Sequence, residues 1–383
     1  MAFLTNTDVV ELTGWRRHLH QMPELSGEEA ETAAEVEKFL SPTGPDLILS
    51  RLGGHGVALV YDGAAAGPTL LFRSELDALP IEELGDIGHK SRVPGKAHLC
   101  GHDGHMAILA ALARGLGRQR PRRGRVVLMF QPAEETGAGA DAVIADRRYK
   151  EIAPDYAFSL HNLPGLPFGH VALKPGPVNC ASRGMRIVLE GKTAHASMPE
   201  TGTSPMAAIS SLMPALTALS EGNVSSPAFT LVTVTHAEMG ASAFGIAPAR
   251  AEIWATLRSL VDDRMEALCA AAEALVTETA AKAGLRCSIS YHEIFHHCEN
   301  DSEATQHLRA ALDAEGVAHD EANLPIRASE DFGRFGDTAK SAMLFLGAGE
   351  NHPALHNPDY DFPDDLIGIG ARIFMRTVRN ILG

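Results

Sequence analysis

The sequence lacks several features that mark whole classes of protein. Its 383 residues contain only two tryptophans, five tyrosines and five scattered cysteines. No apolar run approaches the roughly 18 residues that a membrane-spanning helix needs, so we expect no membrane partner. Basic residues are also scarce, 33 against 48 acidic ones, and the resulting net charge of −15 argues against nucleic acid or an anionic membrane as a partner.

The cysteines and the N-terminal stretch point to a compartment. An odd number of widely spaced cysteines fits a reducing environment better than a disulfide framework. The stretch Met1 to Asp8 has neither the basic region nor the apolar core of a secretory signal. We therefore expect a cytoplasmic protein. Against this background, 18 histidines are unusual and direct attention to metal chemistry.

The hydrophobic pattern of the outer parts of the chain predicts an α/β domain. Helical spacing covers 8–19, 27–40, 106–116 and 365–381. Ser26 should cap the second helix, because Glu29 follows it at capping-box spacing. Short apolar runs, typical of strands buried on both faces of a mostly parallel sheet, lie at 57–61, 69–72, 126–130, 156–160 and 342–346.

The middle of the chain has a different pattern. Over 185–291 the predicted order is strand, helix, strand, strand, helix, strand, which is that of a ferredoxin-like α+β unit. Buried strands of the first kind resume after it. The sequence therefore predicts a catalytic domain formed by 1–176 and 295–383, with an inserted domain at 177–294.

Side chains that bind metals follow nearly every buried run. Ligands bind at the carboxyl ends of strands in open α/β sheets, so these side chains should meet at one edge. Each alone has an ordinary structural explanation, such as a buried thiol, a core histidine or a solvated acid, but several coincidences at one edge are not expected. The group consists of Cys100, His102, Glu134, Glu135, His161, His352 and His356.

Two pairs within this group carry the chemistry. Cys100 and His102 lie two residues apart in a glycine-rich loop, and a thiolate with an imidazole suits zinc or another borderline metal. Glu134 and Glu135 are adjacent, so in an extended segment their side chains should leave in different directions. One could then bind metal while the other moves protons.

At these residues the chain resembles a known family. It is similar to the amidohydrolase branch of the aminoacylase and glutamate-carboxypeptidase metallopeptidase family, which includes hippurate hydrolases, N-acyl-amino-acid amidohydrolases and auxin-conjugate hydrolases. The resemblance covers essentially the whole chain in order, which makes it far more specific than any single motif. The matching stretches are 16–26, 73–80, 98–105, 130–135, 161–165, 191–199, 328–332 and 355–358.

The resemblance implies a zinc-peptidase-like α/β/α catalytic domain with an inserted ferredoxin-like dimerisation or lid domain. It implies two divalent metal ions, Zn, Mn, Co or Ni, held by Cys100, His102, Glu135, His161 and His356. It also implies that Glu134 is the general base and that His195 reaches across a homodimer to the partner's site. Arg258 would bind the carboxylate of the substrate, and either Asp77 or Asp103 would orient a metal ligand.

Three positions depart from the family pattern. Glu75 stands where the family usually has Asp, and Gly245 stands where a substrate-binding Asn is usual. Residues 296–298, His-His-Cys, replace a proline-rich stretch, and we favour a solvated hinge over a second metal site there.

The function we expect is hydrolysis of the amide bond of N-acyl amino acids or related small conjugates, releasing a carboxylic acid and an amino acid. The alternatives are deamination of an amino-substituted small molecule on the same fold, and a non-catalytic ligand-binding descendant.

Overall fold

The computed structural model describes residues 3–383, so the first two residues of the N-terminal stretch lie outside the described residues. Nowhere in 3–383 is a helix both long enough and apolar enough to span a membrane. The α-helices of this part are α1 Asn6–Gln21, α2 Ala30–Leu40, α3 His102–Arg118, α4 Gly139–Ala145, α5 Met206–Thr217, α6 Asp262–Lys282, α7 Ser302–Glu315 and α8 Leu366–Leu382.

The strands of the described residues include all five of the apolar runs predicted above. They are β1 Leu47–Leu52, β2 Gly56–Asp62, β3 Thr69–Glu75, β4 Arg125–Gln131, β5 Tyr156–Pro164, β6 Val171–Ala172, β7 Gly176–Asn179, β8 Ala181–Glu190, β9 Ala194–His195, β10 Thr230–Met239, β11 Ile246–Ala247, β12 Arg250–Ser259, β13 Arg286–Phe295, β14 Cys298–Asn300, β15 His319–Asp320 and β16 Lys340–Gly349.

The chain divides into two compact units. The larger comprises Met1–Val178, Glu299–Leu324 and Asp331–Gly383, and the smaller comprises Asn179–Cys298 and Pro325–Glu330.

The larger unit is built on an eight-stranded mixed sheet. Its strand order is β1-β2-β4-β3-β5-β16-β6-β15. The four central strands β4, β3, β5 and β16 run parallel, whereas β1 and β2 pair antiparallel. Every residue of β3 is buried, as expected for a strand covered on both faces. Helices α1, α3, α7 and α8 pack around this sheet, which confirms the α/β class.

The smaller unit has the predicted strand and helix order. Its four antiparallel strands lie in the order β10-β12-β8-β13, and α5 and α6 pack against them. Along the chain this is β8-α5-β10-β12-α6-β13, the βαββαβ arrangement of ferredoxin-like units. A separate two-stranded ribbon joins β9 to β11.

The starts of two helices differ from the sequence prediction. Helix α2 begins at Ala30 with Glu29 as N-cap, so the prediction that Ser26 caps it is wrong. The cause is a turn at Gly27, whose φ of +83° is a left-handed conformation that favours glycine. This turn directs the Ser26 hydroxyl to the carboxylate of Asp77 instead.

Helix α3 begins at His102, so this residue lies in the first helical turn and not in a loop. Gly101 precedes it with a φ of +91°. A Cβ atom at this position would lie 2.2 Å from the side-chain oxygen of Asn162, so only glycine fits. Gly101 thus forms the link between Cys100 and the first residue of the helix.

Candidate metal centre

The five expected metal ligands lie together at the carboxyl edge of the parallel strands. The Cys100 sulfur is 3.4 Å from Nε2 of His161. The two carboxylate oxygens of Glu135 face different histidines, with Oε1 3.8 Å from Nε2 of His102 and Oε2 3.7 Å from Nε2 of His356. Glu135 therefore lies between two histidines, as a carboxylate that serves two ions would.

The ligand atoms form two overlapping sets. Cys100, His102 and His161 offer atoms within 4.8 Å of one another, and so do Cys100, Glu135 and His356. The two sets share the Cys100 sulfur. The arrangement is therefore compatible with two neighbouring ions, each with at least three ligands from the chain.

The chemistry of these donors fits divalent borderline metals. Burial, with further contributions from Glu135 and Glu134, holds the pKa of the Cys100 thiol well above its usual range, so its thiolate needs a nearby cation. Burial lowers the pKa of His161 to about 3, which leaves a neutral imidazole able to bind metal. Nε2 of His102 has no hydrogen-bond partner anywhere in residues 3–383 and is fully buried.

Of the two acids that the sequence left open, Asp77 is the one against a ligand. Its backbone oxygen lies 2.8 Å from Nδ1 of His102, and its Oδ1 lies 3.5 Å from the same nitrogen. Its Oδ2 accepts the backbone N–H of Glu135 at 2.9 Å. A histidine whose Nδ1 is held in this way presents Nε2 to the metal side.

Asp103 serves a different cluster. Its Oδ2 is 2.8 Å from Nδ1 of His20 and 3.1 Å from the guanidinium of Arg16, and all three side chains are fully buried. Burial raises the pKa of Asp103, but His20 and Arg16 outweigh it and hold that pKa far below its usual range. Asp103 thus fixes the start of α3 to α1.

The adjacent glutamates do not diverge as an extended segment would require. Oε2 of Glu134 lies 3.9 Å from Nε2 of His102, almost as near as Oε1 of Glu135. The segment is a turn, because Ala133 has a φ of +51° and the N–H of Gly137 donates to the oxygen of Glu134. The expectation of different directions assumed an extended segment; in this turn both carboxylates come within 4 Å of the same histidine nitrogen.

The backbone conformation of His356 and the burial of Glu75 are not predicted by the sequence pattern. His356 has a φ of +65°, and its N–H donates to the oxygen of Leu99 at 2.9 Å, which ties its loop to the segment carrying Cys100. Glu75 is fully buried, bonded to Arg73 and 2.6 Å from Nδ1 of His105. Glu75 is therefore a member of a buried ion pair.

In the smaller unit, His195 is exposed in β9. The backbone N–H of Ser197 donates to its Nδ1 at 3.2 Å, and the Ser197 hydroxyl lies 2.8 Å from the same nitrogen. An Nδ1 that accepts a hydrogen bond places the proton of a neutral imidazole on Nε2. His195 can therefore donate a hydrogen bond outward.

Arg258 is anchored by uncharged groups. Its Nη1 donates to the oxygen of Arg327 at 2.9 Å and to the hydroxyl of Ser329 at 2.8 Å. Within residues 3–383 it forms no ion pair with a carboxylate. Its positive charge is thus available to an anionic group.

The other departures from the family pattern also lie in the smaller unit. A Cβ atom at Gly245 would meet nothing within 4 Å. His296 and His297 both contact the carboxylate of Asp262, at 2.9 and 3.1 Å, in the first turn of α6. Here two histidines share one acid.

The sequence pattern does not predict the contacts behind the expected ligands. The residues that make them lie in the matching stretch 16–26 or within three residues of its end, and that location was the available signal: they are Arg16, His20, Ser26 and Glu29. Their partners are distant in sequence, so spacing alone could not identify them.

Comparisons relate the chain to known proteins of similar sequence and fold. Residues 71–380 match the profile of peptidase family M20/M25/M40. The chain is 34% identical to an N-acetyl-L-cysteine deacetylase of Bacillus subtilis (95% of this chain, 86% of the relative) and 32% identical to a hippurate hydrolase of Campylobacter jejuni (94% of each). A crystal structure of a dinuclear metal-binding M20 peptidase from B. subtilis superposes with a TM-score of 0.82 at 25% identity, covering 99% of both chains.

Proposed function

Because the chain belongs to peptidase family M20/M25/M40, we propose that it is a metal-dependent amidohydrolase of N-acyl amino acids or related small conjugates. The observation that carries the proposal is the meeting of Cys100, His102, Glu135, His161 and His356 at one sheet edge. The deacetylase and the hippurate hydrolase named above support this class of substrate.

Each residue has a proposed task. Two divalent ions held by the five ligands would supply a water of lowered pKa and a positive charge beside the scissile carbonyl. Glu134 accepts the proton of the attacking water and later returns it to the departing amine nitrogen. Asp77 keeps His102 and Glu135 in place. The products are a carboxylic acid and an amino acid.

The smaller unit would provide two further contacts. His195, with its proton on Nε2, donates to the carbonyl oxygen as negative charge develops there. Arg258, which has no carboxylate partner within 3–383, holds the carboxylate of the amino acid. The family resemblance assigns His195 to the site of a partner subunit, so we also propose a homodimer. A monomer by light scattering at micromolar concentration would contradict that part.

The direct test is a mass-spectrometric screen of the purified, metal-loaded protein against mixed N-acyl amino acids. Paired release of an acid and an amino acid is expected. Release of ammonia instead would favour deamination. Tight metal binding without any turnover would favour a non-catalytic ligand-binding protein.

A further inference from the structure

A short turn before α2 contacts the segment that carries both glutamates. This turn, residues 26–29, we call the anchor turn, and residues 133–135 we call the glutamate turn. The two are far apart in sequence. Two series of hydrogen bonds, which we call paths, join them. One path ends at Ala133 and the other at Glu135, the two chain neighbours of Glu134.

The first path begins at Ser26. Its hydroxyl donates to Oδ2 of Asp77 at 2.7 Å, and the same oxygen accepts the backbone N–H of Glu135 at 2.9 Å. The other oxygen of Asp77 faces Nδ1 of His102. Ser26 thus fixes the rotation of a carboxylate that holds two expected metal ligands at once.

The second path begins at Glu29. Its Oε1 accepts the backbone N–H of Ala133 at 2.8 Å and that of Gly27 at 2.8 Å. The Glu29 side chain is fully buried, and the free-energy cost of burying a carboxylate must be offset by hydrogen bonds such as these two.

The bond to Glu29 matters because of the backbone conformation of Ala133. Its φ of +51° is a left-handed conformation that a residue with a Cβ atom adopts only when its surroundings enforce it. The bond from Glu29 holds the N–H of this strained residue, directly before Glu134. Without the bond, the turn could relax and move the base.

We infer that Ser26 and Glu29 are positioning residues, which hold Glu135 and Glu134 in their working places through the glutamate turn. The inference rests on the proposed function. It assigns the two residues separable effects: Ser26 acts on the metal ligands through Asp77, whereas Glu29 acts on the base through Ala133.

The test uses two truncations, two conservative variants and one matched control. Ser26→Ala and Glu29→Ala remove the paths, whereas Ser26→Thr and Glu29→Gln keep an atom able to make each bond. Glu28→Ala is the control, because Glu28 is in the same turn but its carboxylate pairs with Lys96 at the surface. Zinc dissociation constants are measured by competition with a chelator, and kcat and KM with a substrate from the screen above.

Ser26→Ala should weaken zinc binding about tenfold, at the low end of the 10- to 100-fold typical for partners of metal ligands. Glu29→Ala should lower kcat by about tenfold or more, with KM and zinc affinity nearly unchanged. Ser26→Thr and Glu29→Gln should recover most of each loss, which a general packing defect would not allow.

Ser26→Ala removes one half-buried hydroxyl, so it should fold even if Glu29→Ala does not. The inference is overturned if Ser26→Ala binds zinc as tightly as Glu28→Ala, or if the conservative variants are as impaired as the truncations. If the parent protein itself binds no zinc and hydrolyses nothing, the proposed function fails instead.

Discussion

The two units present their histidines in opposite ways. In the larger unit, His102 is fully buried, and one side of its ring is held by Asp77 while the other faces the glutamates. In the smaller unit, the side chain of His195 is exposed, and its ring is hydrogen-bonded to its neighbour Ser197. The surroundings of His102 fix the orientation of its ring in the protein itself, as the proposed role of metal ligand requires. The exposed His195 can still donate a hydrogen bond to another molecule, as its proposed role requires.

The largest expected effect separates two neighbours within the buried centre. Glu134→Gln should keep its metal and lose about 10²- to 10⁴-fold in kcat, because the amide cannot accept the proton. Glu135→Gln should weaken metal binding, because it replaces an anionic oxygen that faces both His102 and His356. Elemental analysis and initial rates on the purified variants measure both.

The outcome distinguishes the two tasks cleanly. If Glu134→Gln lost its metal while Glu135→Gln kept it, the assignments of base and ligand would be reversed. If both retained full metal and full activity, the hydrolytic mechanism would be wrong.

The next effect tests the open side of the comparison. His195→Ala should leave the metal content unchanged and lower kcat by about 10²- to 10³-fold, the usual cost of one lost donor to a developing oxyanion. A rise in KM alone, with kcat unchanged, would make His195 a substrate-binding residue. His236→Ala, at another exposed histidine of the smaller unit, is the matched control.

The sequence predicts those parts of the fold that depend on interactions between residues close together in the chain. The runs in β2, β3, β4, β5 and β16 depend on local periodicity, and the sequence located them well. Cys100, His102, Glu135, His161 and His356 could be grouped because parallel strands bring their carboxyl ends to one edge.

The misses have a different cause. Ser26 has the spacing of a helix cap, whose oxygen would accept a backbone N–H of the first helical turn. The left-handed turn at Gly27 instead brings its hydroxyl to Asp77, to which it donates a hydrogen bond. The paired directions of Glu134 and Glu135 depend on the strained Ala133, whose conformation is held by the distant Glu29. Such choices between competing partners are settled by tertiary contacts, which local patterns do not encode.

A pH-dependent effect tests the buried cluster behind the metal centre. Burial alone lowers the pKa of His20, but Asp103 outweighs it and raises that pKa to about 9, against about 6.5 in an unfolded chain. Because the folded state binds this proton more tightly, its stabilisation is complete below about pH 6.5 and is lost as the pH rises through about 9.

The loss should reach at most about 3 kcal/mol in the free energy of unfolding. Urea unfolding at a fixed metal concentration between pH 6 and pH 10 measures it. His20→Gln should flatten the profile over this range. An equally steep profile in that variant would assign the dependence to other groups.

The smallest effect concerns the counterpart in the smaller unit. The carboxylate of Glu252 has its pKa lowered to about 2, first by the hydrogen bond from Arg186 and then by those from Trp254 and Arg250. Since its folded pKa is depressed, its contribution is complete above about pH 4.5 and is lost as the pH falls through about 2.

Both arginine side chains that pair with Glu252 are nearly half exposed, at 41% and 46%, so solvent screens the charges. Glu252→Gln should therefore cost less than about 1 kcal/mol at pH 7. This cost should shrink between 0.1 M salt, where the screening length is roughly 10 Å, and 1 M salt, where it is roughly 3 Å. A loss as large as that expected for His20, insensitive to salt, would mean that the smaller unit also depends on a buried charge network, and the contrast between the units would no longer hold.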